Sequence, residues 1–235
     1  MSKDTTNHLG QPIGFDVPDW QARPRPPRTP IQGRTCRIEA IDPEAHAADL
    51  FAANSASDDG LWTYMAYGPF ATAAEYRSWM ETACMGDDPL FHAIVDAASG
   101  QALGVASYLR IEPAVGVIEV GNICYAPALQ KTVAATESMY LMMTRVFDEL
   151  GYRRYEWKCD ALNAPSRAAA LRLGFQYEGI FRQATLYKGR NRDTAWFAMT
   201  DRDWPAIKTG FEGWIDAANF DADGQQLKNL SAFMP

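Results

Sequence analysis

The chain has 235 residues, a hydrophobic share of 47% and a formal net charge of −7. Such length and apolar content suit one buried core and exclude wholesale disorder, while the acidic balance argues against a nucleic-acid partner, which asks for a basic face. No apolar run reaches the roughly 20 residues of a membrane span, so no membrane partner is expected.

The polar start MSKDTTNHLG lacks a signal-peptide core. Cys36, Cys84, Cys124 and Cys159 form no C-x-x-C pair, and histidines are few. The expectation is a reduced, cytoplasmic protein without metal. Residues 1–33 read as a proline-rich extension, with Pro24, Pro26, Pro27 and Pro30 set among arginines; proline removes backbone donors and stiffens the chain. Phe15 and Trp20 suggest that part of this leader lies across the folded body.

Regular patterning begins at Thr35. Cys36–Ile41 alternates as a strand, Asp42-Pro43 opens a helix to about Asn54, and Ala71–Cys84 reads as a second helix with Thr72 as N-cap. Between the helices, LWTYMAYGPF is an aromatic loop holding Trp62, Tyr64, Tyr67 and Phe70. Phe91–Asp96 and Gln101–Ile111 are strands turned around Ser99-Gly100, and Val115–Tyr125 adds a third. The longest helix is expected from Thr132 to Leu150, with Met139, Met142, Met143, Val146, Phe147 and Leu150 at helical spacing and Gly151 as its stop.

Arg154–Asp160 alternates without a fault: Tyr155, Trp157 and Cys159 face one way, Arg154, Glu156, Lys158 and Asp160 the other. NAPSRAAALRLGF, from Asn163 to Phe175, gives a short helix with Asn163 as N-cap and Gly174 as C-cap between Leu173 and Phe175. A strand from Phe175 to Lys188 turns at Gly189-Arg190-Asn191 into a last strand, Asp193–Thr200; Lys188, Arg190 and Arg192 make a small basic cluster there. Asp203-Trp204-Pro205 starts the last helix. Trp204, Phe211, Trp214 and Phe220 in this final segment leave two readings open, a cover for the chain's own body or for the second subunit of a homodimer.

The order of elements, DELGYRRYEWKCDALN, the N-x-x-S step at Asn163–Ser166, and LGF followed by YEG together resemble the GNAT acetyltransferase superfamily, in particular the branch of Rim-type ribosomal-protein N-acetyltransferases. The resemblance covers residues 34–205 and leaves residues 206–235 as a C-terminal helix and tail. It implies an α/β (α+β) single domain, with a mixed, mostly antiparallel central sheet flanked by helices. It also implies acetyl-CoA as co-substrate, without metal, and direct transfer of acetyl to a primary amine in a ternary complex. That amine would belong to a small molecule or a protein N-terminus. The alternative is the same fold as a non-catalytic CoA-binding or protein-interaction module.

The family's acyl-CoA loop, Gln/Arg-x-x-Gly-x-Gly/Ala, falls on Gln130, Lys131, Thr132, Val133, Ala134 and Ala135, followed by Thr136. Successive N–H groups at a helix N-terminus converge on a pyrophosphate, aided by the helix dipole. Val133 stands where glycine is usual, so the loop must keep an ordinary backbone conformation there. The resemblance assigns backbone contacts to pantetheine and thioester to the strand carrying Asn122, Ile123, Cys124 and Tyr125. Cys124 itself reads as a small buried hydrophobe rather than a nucleophile. Asn163 would touch the pantetheine arm besides capping its helix, and Ser166 would sit near the CoA sulfur and assist its departure as a catalytic residue, against a reading in which it simply satisfies the helix start.

Glu119 is the candidate base for the amine, against a reading as a salt-bridged strand residue. Tyr187 is the candidate acid for the leaving thiolate, against a packing role. Trp62, Tyr64 and Tyr67 would enclose the acceptor or form a satellite hydrophobic cluster.

Overall fold

The structure is a computed structural model describing residues 5–235. A small hairpin, β1 (Thr5–Thr6) with β2 (Pro12–Ile13), precedes the main sheet. The front half then runs β3 (Ile31–Gln32), β4 (Cys36–Ala40), α1 (Pro43–Asn54), α2 (Ala73–Ala83), β5 (Leu90–Asp96), β6 (Ala102–Glu112) and β7 (Val117–Tyr125). The back half runs α3 (Val133–Thr144), β8 (Arg154–Asp160), α4 (Ala164–Arg172), β9 (Gln176–Tyr187), β10 (Arg190–Thr200) and α5 (Trp204–Ile215).

β3 to β10 form one eight-stranded sheet in the order β3-β4-β5-β6-β7-β8-β10-β9. Every neighbouring pair is antiparallel except β7 with β8. The mixed, mostly antiparallel sheet expected from the sequence is therefore present, with α-helices on both faces. Among the described residues no helix is long and apolar enough to cross a membrane.

The helix starts follow from their caps. Asp42 accepts the Glu44 N–H ahead of α1, and Thr72 accepts the Glu75 N–H ahead of α2 while the Glu75 carboxylate takes the Ala71 N–H. α1 and α2 bury Leu50, Tyr76 and Met80 against Phe91, Ala93 and Val105 of β5 and β6. The other face carries the larger core, in which Met139, Met142, Tyr155, Trp157 and Phe175 meet Trp204, Phe211 and Trp214 of α5. Trp204 stacks on Phe147 and Phe211 on Tyr140, so the last helix packs on its own chain.

Some details depart from the sequence expectation. The long helix is α-helical only to Thr144 and continues as a π-turn over Arg145–Glu149. The buried Arg145 side chain there donates to the carbonyls of Thr29 and Pro30, drawing the leader onto the body. Trp20 and Tyr152 add donations to Ala114 O and Pro24 O. The β9–β10 turn is also tighter than expected: Tyr187 pairs with Arg190, leaving Lys188 and Gly189 as a two-residue loop. Both take positive φ (48° and 69°), the sign that a type I′ hairpin requires of its central residues.

Candidate active site

β7 and β8 pair in parallel only from Val117↔Arg154 to Val120↔Trp157. Beyond that point β7 stays with β6 as far as Tyr125 and β8 stays with β10 as far as Asp160. The two carboxyl ends therefore part into a wedge, the kind of place where open α/β sheets take ligands. A β-bulge shapes it: the β6–β7 register shifts between Val105 and Ser107, and Asn122 takes a left-handed φ of 50°. Asn122 Nδ2 donates to Ser107 Oγ at 2.9 Å, and Ser107 Oγ donates to Gly121 O at 3.2 Å, which fixes the bulge.

The wedge holds a cavity of about 120 Å³. Val120–Ile123 of β7, Trp157–Asp160 of β8, Asn163 and Ser166 of the α4 start, the loop residues Tyr64–Ala66 and Arg192 of β10 line it. Asn163 Oδ1 accepts the Ser166 N–H at 3.1 Å, and Ser166 Oγ accepts from Trp157 Nε1 at 3.0 Å. The serine keeps its own hydroxyl proton to donate.

At the α3 start, Thr132 Oγ1 accepts the Ala135 N–H at 3.1 Å and donates to Leu129 O at 2.7 Å. The left-handed residue of this loop is Lys131, φ 62°, and Val133 is simply the first helical residue. Glycine is therefore not needed at 133. Among the described residues the N–H groups of Lys131, Val133 and Ala134 have no acceptor, and Gln130 holds the loop by donating to Tyr125 O at 2.8 Å. These free N–H groups at a helix N-terminus, flanked by small Ala134 and Ala135, suit an anionic phosphate group. Thr136 is buried and accepts from Arg172, which ties α3 to α4.

A row of alternating charges crosses the open face of the sheet beneath the wedge. Glu119 and Glu156 stand side by side in register, an arrangement that would repel. The Lys158 ammonium sits between them, 2.8 Å from Glu119 Oε2 and 2.7 Å from Glu156 Oε2, and 3.8 Å from the Trp196 ring centre. Arg110 caps the Glu119 end at 2.6 Å, and Arg154 joins Glu156 to Glu178 at the other. Glu119, the sequence candidate for the base, is thus buried at the root of the wedge with one oxygen held by two cations.

Asp160 was not singled out by the sequence, yet it lines the cavity. Its Oδ1 accepts the Leu162 N–H at 2.9 Å and its Oδ2 accepts from Tyr187 Oη at 2.8 Å. Burial, then the Asp160 carboxylate, pushes the Tyr187 phenol up to about 12. Tyr187 therefore lies behind Asp160, with its proton engaged. Cys124 and Tyr125 point away from the wedge. The Cys124 thiol is buried against the α1–α2 side, where desolvation pushes it up to about 12, and Tyr125 hydrogen-bonds Ser138.

Of the aromatic trio only Tyr64 reaches the cavity. Trp62 and Tyr67 join Phe70, Tyr76 and Trp79 in the satellite cluster. Tyr64 Oη donates to Leu162 O at 3.1 Å, Lys188 Nζ to Trp62 O at 2.8 Å and Arg190 Nη2 to Thr63 O at 2.8 Å. The basic hairpin thus clamps the loop over the wedge. Lys158, Asp160 and Arg192 are the functional candidates that sequence reading left out. Their visible signals were the polar face of β8 and the cations around Lys188.

Comparison with known proteins agrees with this geometry. The profile of the acetyltransferase (GNAT) domain matches residues 37–176. A GCN5-related N-acetyltransferase from Brucella melitensis is 47% identical, with a TM-score of 0.89 over 92% of this chain and 99% of that one. A probable GNAT-family acetyltransferase from Chromobacterium violaceum is 38% identical, TM-score 0.78, over 83% of this chain and 98% of that one. At 20% identity, likeness in fold extends to the microcin C7 self-immunity acetyltransferase, solved with acetyl-CoA and AMP (TM-score 0.63, 72% of this chain and 93% of that one). No curated protein matches significantly. The chain therefore belongs to the GNAT family of acetyltransferases.

Proposed function

We propose that this acetyltransferase moves acetyl from acetyl-CoA directly to a primary amine while both are bound. The observation that carries the reading is the wedge between β7 and β8, lined by Ser166 and Asp160, together with the helix start after β7, whose N–H groups are free. The residues present fit the co-substrate: Lys131, Val133 and Ala134 would hold phosphate, the freed edge of β7 at Asn122–Ile123 would hold the pantetheine arm, and Asn163 and Ser166 would flank its sulfur end. Acetyl-CoA supplies the activated acyl group.

In the transfer, the amine nitrogen forms a bond to the thioester carbon, the C–S bond breaks, the nitrogen loses a proton, and the thiolate gains one. Asp160 is the proton acceptor that faces the cavity, with Tyr187 steadying its charge, and the Ser166 hydroxyl is the donor placed for the sulfur. Glu119, clamped by Arg110 and Lys158, serves the sheet instead. With Val133 helical and the loop donors intact, Val133 gives no support to the reading as a non-catalytic module.

Thiol release from acetyl-CoA across a panel of amines tests the reading. Initial rates should give intersecting double-reciprocal lines, as a ternary complex demands, and Cys124→Ala should keep turnover within about twofold, since a buried thiol of this kind is no nucleophile. Parallel lines together with an inactive Cys124→Ala would replace direct transfer by an acyl-cysteine route.

A further inference from the structure

The charges facing the cavity are not all balanced. Lys158 is neutralised by its two glutamates. Asp160 receives only neutral donors, the Leu162 N–H and the Tyr187 hydroxyl, and among the described residues no cation lies within salt-bridge distance of it. Arg192 is its opposite. Half-buried on β10, it has no carboxylate within salt-bridge distance among the described residues, and its Nε–H is shut off from solvent without an acceptor.

The nearest charges reinforce this imbalance. Lys188 and Arg190 of the same hairpin give their protons to carbonyl oxygens of the loop, which leaves their charge uncompensated. One small cavity thus presents a lone anion and a lone cation, with further positive charge behind the cation. In a partly desolvated site, an unpaired guanidinium favours a carboxylate that can take two of its N–H groups at once.

We infer that the acceptor is a small amine that itself carries a carboxylate, of the free amino acid class, with its amino group toward Asp160 and its carboxylate toward Arg192. This rests on the acetyl transfer proposed above, and the products are the N-acetylamino acid and CoA.

The test measures thiol release with the L-amino acids, each beside its own amide and its decarboxylated amine, and with spermidine and a short peptide as contrasts. At least one amino acid should exceed its amide tenfold or more in kcat/KM. Arg192→Gln should cut that acid-to-amide ratio at least tenfold, chiefly through KM for the acid, with Arg192→Lys intermediate and the melting temperature unchanged. Arg182→Gln, on a separate depression of the hairpin, should leave the ratio as it was.

Calorimetric binding of the amino acid to the protein with CoA, present for wild type and weakened in Arg192→Gln, gives a readout independent of turnover. Equal or better turnover of amides, spermidine or peptide overturns the inference while acetyl transfer stands. A protein that binds acetyl-CoA but releases no thiol with any amine overturns acetyl transfer as well.

Discussion

The two sides of the site are built by different means. The side proposed for the co-substrate is made of main chain: a short parallel pairing that lets go, a bulge at Asn122, and a capped helix start. Nearly all of its parts come from one stretch, Val120 to Ser166. The side proposed for the acceptor is made of side chains that reach across the sequence, Lys188 to Trp62 and Arg190 to Thr63 over separations of 126 and 127 residues. Backbone geometry serves a ligand that many relatives share, whereas specificity sits where single side chains can be exchanged without disturbing the sheet.

The sharpest way to break this contrast is at Asp160. Asp160→Asn should lower kcat/KM at least about 100-fold, as loss of a general base does, with little change in KM for acetyl-CoA. Steady-state kinetics check it, and a near-wild-type rate would return the role to Glu119, whose Oε1 faces the Gly121 position.

A second prediction asks whether the two sides share one cooperative unit. His92, fully buried in β5 with no side-chain hydrogen-bond partner for either ring nitrogen among the described residues, is pushed down to about 4, first by burial and then by Arg145. An unfolded histidine titrates near 6.5. Between these values the unfolded chain binds a proton that the folded chain refuses. Stability is therefore intact above about pH 6.5 and falls by about 3 kcal/mol on the way to pH 4. Urea titrations across that range should show it, and His92→Leu should flatten the slope.

The clamp comes next in size. Lys188→Met with Arg190→Met removes two charge-assisted hydrogen bonds, one part-buried and one exposed, so KM for the amine should rise about tenfold, near 1.4 kcal/mol, with KM for acetyl-CoA steady. The smallest effect concerns the helix start. Lys131→Gly should stabilise by about 0.5–1 kcal/mol by relieving a left-handed residue, and Val133→Gly should cost a similar amount. A reversed order in denaturant midpoints would move the glycine-like position back to 133.

The order of elements, the Thr72 and Asn163 caps and the Leu173-Gly174-Phe175 stop were legible because each depends on neighbours within a few residues. The polar alternation of β8 was legible for the same reason, yet not its use. That Glu119 is held by two cations depends on Arg110 and Lys158 from two flanking strands. That Tyr64 lines the cavity while Trp62 and Tyr67 do not depends on how a loop folds against Trp79 and Tyr76. Asp160 was read only as one of the polar alternation of β8, because its neighbours at the cavity, Tyr187 and Leu162, are brought to it by the fold.

The charge row across β6 to β9 has a mechanical consequence. The seam joining β7 to β8 is only four residue pairs long, and any ligand wedged between the strand ends acts on it as a lever. Lys158 rivets Glu119 of one strand to Glu156 of the other at the third pair, just behind the fork. Because these groups are buried, dissolved salt screens them little. A ligand that pried the strand ends apart would therefore work against this ion pair before the rest of the seam.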